Sequence, residues 1–157
     1  MQRYGLQGLG IILGRTLLGY IFALMLAVLG GWAGMIFNLL TGYPWPLEFH
    51  QHIQMMGISL GASLGAYLAW MDSTPRWYWI LLNVAVVFAG AAAGAYLGRA
   101  FGPGVDQSYW WSRFAVDTTI YLTAATSGII VSTTIGMATQ IRAGAVRCWS
   151  YAMRLGW

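Results

Sequence analysis

Four apolar runs carry glycines or other small residues four positions apart, and each is close to the length needed to cross a bilayer. The clearest is Gly57-Ile58-Ser59-Leu60-Gly61-Ala62-Ser63-Leu64-Gly65, and the following run repeats the pattern through Gly90, Gly94 and Gly98. A spacing of four places small residues on one helix face, where a second backbone can approach closely. Crossing the hydrocarbon takes about 20 helical residues. Continuous apolar runs lack the alternation of a barrel strand, so helices are the only spanning structure they suit.

Composition agrees with lipid as the solvent. The 157 residues are 59% hydrophobic and 8% charged, with a mean hydropathy of +0.62. A soluble domain carries about a quarter charged residues. The sequence therefore predicts an all-α integral membrane protein with four transmembrane helices packed through small-residue (GxxxG-type) faces. The spans are expected at about 16–40, 53–70, 77–97 and 116–141, followed by an amphipathic cytoplasmic tail over 142–157. Thr41-Gly42-Tyr43-Pro44-Trp45-Pro46 ends the first span, because proline lacks the amide donor a helix needs. Asp72-Ser73-Thr74-Pro75 and Gly102-Pro103-Gly104 break the chain at the next two ends. Arg3 followed by an apolar run resembles a secretory signal in outline. The run is long for one and lacks a convincing small-residue cleavage site, so it is read as a retained helix.

Four spans put both termini and the loop between spans two and three on one side. That side holds Arg3, Arg15, Arg76, Arg142, Arg147 and Arg154, whereas Arg99 and Arg113 lie on the other. The arginine bias predicts cytoplasmic termini, in a membrane of the bacterial inner or cytoplasmic type. The net charge of +4 is thus an orientation signal. The arginines flank apolar spans and form no patch, so nucleic acid is not an expected partner. Membrane lipids and other integral membrane subunits are.

Each span has a ridge of small residues. The ridges comprise Gly30 and Gly34; Gly57, Gly61 and Gly65; Gly90, Gly94 and Gly98; and Ala124, Gly128, Ser132 and Gly136. In lipid no hydrophobic drive brings helices together, so close backbone packing and weak polar bonds must do so. Matching depths along consecutive spans predicts Gly57 opposite Gly94 and Gly61 opposite Gly90, with Gly65 turned to span four. The stretches Gly61–Leu68 and Gly90–Leu97 resemble each other, but too briefly to argue for an inverted transporter repeat.

Ionisable groups are sparse and lie at span ends, where they can reach water. Asp117 follows Arg113 by four residues at the mouth of span four. An ion pair favoured by the helix start is the simpler reading, and an ion or proton site the alternative. Glu48, His50 and His52 form the only histidine cluster. It reads first as a polar helix start. A metal would need an irregular backbone there, and one imidazole would suffice for haem or chlorophyll. No cofactor is required by the sequence. Span four is rich in Ser and Thr, whose hydroxyls serve as interhelical glue or line a polar path. The lone Cys148 permits no disulfide within the chain.

No nucleophile–base pair, phosphate loop or metalloprotease motif is present. A non-catalytic structural or accessory subunit of a larger integral membrane complex is the expected function, with a respiratory or photosynthetic complex as a possible host. A small transporter or channel using Asp117 and span four is the first alternative. A pigment- or haem-binding subunit using His50 or His52 is the second.

Overall fold

A computed structural model describes the backbone of residues 2–41, 47–70, 77–102 and 118–154. Side chains are described over residues 10–41, 49–70, 77–102 and 118–139. The described chain is all-helical: α1 (Gln2–Leu40), α2 (Leu47–Leu68), α3 (Trp77–Phe101) and α4 (Thr118–Arg154). Three segments are long and apolar enough to cross a membrane: Gly10–Leu40, Trp77–Phe101 and Thr118–Thr139. α2 is shorter and starts on polar residues, among them His50, Gln51, His52 and Gln54. α1 begins well before the expected span, and α4 runs unbroken through the segment expected as a separate tail. Apolarity marks where lipid can sit. Helix length depends on backbone hydrogen bonding, and no proline interrupts either stretch.

The helices form an up-and-down bundle. α2 and α4 each touch the three other helices, whereas α1 and α3 lie on opposite sides and do not meet among the described residues. The α2–α4 pair is therefore the short diagonal of the cross-section. The register follows from close approaches. Along α1 and α2, Gly34 meets Gln54, Gly30 meets Gly57, Gly61 meets Leu26, Gly65 meets Phe22, and Gly19 meets Ala69. One number rises as the other falls, so the pair is antiparallel. α3 and α4 are antiparallel by the same test, with Gly90 at Val131, Gly94 at Ser127 and Gly98 at Thr119 and Ile120.

The interior is made of small side chains and the exterior of large ones. Ala23, Ala27, Ala62, Ala66, Ala91, Ala95, Ala124 and Ala125 are completely buried. Leu17, Trp32, Leu40 and Phe101 are more than 60% exposed. In water that distribution would forfeit the main driving force of folding. In hydrocarbon it costs nothing, and small interior residues gain close packing. This inside-out pattern, with three bilayer-length apolar helices, makes the chain a multi-pass helical membrane protein.

Side-chain hydroxyls finish the main-chain bonding. The Thr41 hydroxyl donates to the Phe37 and Asn38 carbonyls at 3.0 and 3.2 Å and closes the end of α1. Such carbonyls have no partner within their own helix. On α4, Thr123, Thr126, Ser127 and Thr134 each donate to the carbonyl four residues back at 2.7–2.8 Å. Ser132 instead reaches across to the Ala66 carbonyl of α2 at 2.8 Å and is buried. Ser132→Ala should lower stability in detergent by about 0.6–1.7 kcal/mol, the range for interhelical hydrogen bonds in membranes. A denaturant titration monitored by circular dichroism measures it. No change would mean that the bond is replaced as soon as it is lost.

Candidate packing and polar sites

The second helix organises the bundle through two faces of small residues. Gly57, Gly61 and Gly65 lie against α1. Ideal Cβ atoms built at these positions would collide with the main chain at Gly30, Leu26 and Phe22 respectively. The contact at Gly57 is reciprocal, since a Cβ at Gly30 would strike the Gly57 carbonyl. Gly34 is nearly as close to Gln54, with the Gln54 Cα at 2.9 Å from such an atom. Ala62, Ser63 and Ala66 are buried as well. Gly128 of α4 lies in ordinary contact with Ala62 and Ala66 and with Ala91 of α3, at 3.5–3.8 Å.

The expected pairing of Gly57 with Gly94 and of Gly61 with Gly90 is therefore corrected. The α2 glycines meet α1, and Gly65 meets Phe22 of α1 in place of span four. Gly90, Gly94 and Gly98 of α3 face Val131, Ser127, Thr123 and Thr119 of α4. Depth matching allowed both arrangements, because α1 and α3 are each antiparallel to α2. The choice is made by rotation about the α2 axis, which depth does not specify.

Polar groups gather at the end where α2 begins and α3 stops. Asn38 donates its Nδ2 to the His50 carbonyl at 3.0 Å, a buried bond that ties α1 to the first turns of α2. His50 and Gln54 are buried, whereas His52 is exposed, with its ring 5.9 Å from that of Tyr96. The two imidazoles thus have different surroundings. Glu48, Arg113 and Asp117 fall outside the described side chains, so the metal-ligand and ion-pair readings that need them do too. Among the described residues no three His, Cys, Asp or Glu side chains come together as a metal site would require. On the same seam, Arg99 points its Nη1 at the Met55 sulfur, 3.7 Å away.

The opposite end is closed by an aromatic residue. Trp70 is 8% exposed, and a Cβ at Gly136 would run into its ring. The Arg15 guanidinium stands over the ring, 5.8 Å from its centroid, within cation–π range. Thr16 and Thr133 hydroxyls meet beside it at 3.4 Å. Sequence reasoning gave Arg15 no partner and did not pair Trp70 with Gly136. The small residue at 136, matched to an indole from another helix, was the available signal.

An apolar groove of about 570 Å³ runs along the outside of the α1–α2 seam, lined by residues such as Leu29, Ala33, Phe37 and Leu60. Within the bundle the Thr123, Ser127 and Ser132 hydroxyls bond to main-chain carbonyls, and the glycine seams bring backbones into close contact. The arrangement is one for holding helices together. No protein-family model, curated protein or solved structure matches the chain.

Proposed function

We propose that the chain is a non-catalytic structural or accessory subunit of a larger integral membrane complex, such as a respiratory or photosynthetic one. In this reading α2 is a fourth crossing, the GxxxG-type faces hold the bundle together, and both termini lie in the cytoplasm. The observation that carries the proposal is the use of the α4 hydroxyls. They are the strongest polar feature of the spans, and those at Thr123, Thr126, Ser127 and Thr134 donate to their own helix, which argues against a conducting path. Gly10 and Gly14 supply the complementary observation. They stand four apart on α1 with nothing among the described residues within 4 Å of a Cβ at either position. A neighbouring subunit's helix is the kind of surface such a face accepts.

Extraction in a mild detergent, followed by a native gel and mass spectrometry, tests the reading. Co-migration with a larger heteromeric assembly is expected, and Gly10→Leu with Gly14→Leu should release the chain from it. Recovery as a lone monomer or a symmetric homo-oligomer, with ion or solute flux in proteoliposomes that Asp117→Asn abolishes, would replace this function with transport.

A further inference from the structure

We propose that Arg99, together with Tyr96 and His52, binds the phosphate group of an anionic phospholipid at the end of the α2–α3 seam. Arg99 lies in the last turn of α3, inside a segment apolar enough to cross a membrane. A guanidinium cannot lose its charge, so at such a place it needs an anion or water. Among the described residues its Nη1 reaches only the thioether of Met55, at 3.7 Å. A neutral sulfur is a weak acceptor and balances no charge.

The neighbours suit a phosphodiester. Tyr96 lies one turn before Arg99 on α3, and its ring packs against that of His52 on α2, with centroids 5.9 Å apart. Arg99, Tyr96 and His52 are all exposed, so the seam opens outward. Arginine offers a planar fork that matches two phosphate oxygens, and the phenol and imidazole can supply further donors. The site sits at the end of an apolar segment of bilayer length, where the phosphates at hand are those of lipid head groups. That combination favours a lipid over free phosphate.

Native mass spectrometry of the full chain, delipidated in detergent and then given phosphatidylglycerol or phosphatidylcholine, tests the site. Preferential retention of phosphatidylglycerol is expected. Arg99→Gln should weaken it about tenfold, as loss of a charge-assisted bidentate contact does, while Arg99→Lys keeps the charge and gives an intermediate value. Should Arg99→Gln fail to fold, Tyr96→Phe and His52→Gln serve instead, each with about a two- to threefold loss. Equal retention of the two lipids, or retention indifferent to all of these variants, would overturn the proposal. So would inorganic phosphate raising thermal stability as much as phosphatidylglycerol does. A gain in phosphatidylglycerol binding on Asp106→Asn with Asp117→Asn would overturn it too, because it would assign the role of counter-ion to a carboxylate of the chain.

Discussion

Leucine at Gly57 should force α1 away from α2 and destabilise the bundle, as it should at Gly61 and Gly65, where α1 main chain is at least as close. The first side-chain atom alone would occupy the space of the Gly30 carbonyl, and the converse holds at Gly30. Main chain cannot step aside as the end of a flexible side chain can, so the whole helix must move. Overpacking of a tight core costs about 1–3 kcal/mol, and more where backbone is displaced. Here the movement would also strain the buried bond from Asn38 to the His50 carbonyl. Gly57→Ala should lie in that range and Gly57→Leu above it, read as a fall in the midpoint of thermal or denaturant unfolding in detergent. Gly10→Ala is the control, with nothing among the described residues within 4 Å of the new methyl group, and should stay within about 0.5 kcal/mol of the parent. A Gly57→Leu protein as stable as the parent would disprove the α1–α2 register.

The second large effect belongs to Trp70. Truncation to alanine removes an indole that packs on Gly136 and lies within cation–π range of Arg15. Loss of a buried tryptophan costs about 3–5 kcal/mol in cores, and the lower part of that range applies here because lipid can solvate apolar surface. Trp70→Phe should be mild, below about 1.5 kcal/mol, because the ring Nε1 is buried without a hydrogen-bond partner and phenylalanine has no donor to bury. Gly136→Leu alone should be severe, since its side chain enters the ring's space. Combined with Trp70→Ala it should recover part of the loss, because one side chain then fills the space the other vacated. A double-mutant cycle measures that coupling, and strict additivity would show that the two positions do not share a space.

The helices were legible in the sequence because apolar length and proline punctuation act locally. The ridges were legible as small residues at spacing four. Their partners were not. Gly57 and Gly94 sit at compatible depths, yet Gly57 faces Gly30, and only the rotation of α2 decides between them. The second small face, running through Ser59, Ala62, Ser63 and Ala66, was hidden in the same run of residues that carries Gly57, Gly61 and Gly65. The polar contacts were harder still. Asn38 and the His50 carbonyl are twelve residues apart, and the acceptor is a main-chain atom that no side-chain motif announces. Arg99 could be placed at a span end, but its approach to Met55 depends on how α3 is seated.

Helices of 39 and 37 residues, rising about 1.5 Å per residue, are close to 58 and 55 Å long, against roughly 30 Å of hydrocarbon. The contact of Thr16 with Thr133 leaves 14 residues of α1 before it and 21 of α4 after it, so the excess of both rods leaves the bundle at the same end. Arg3 lies on one of those overhangs, and Arg142, Arg147 and Arg154 on the other. The molecule is therefore lopsided, drawn out into a cationic handle at one rim.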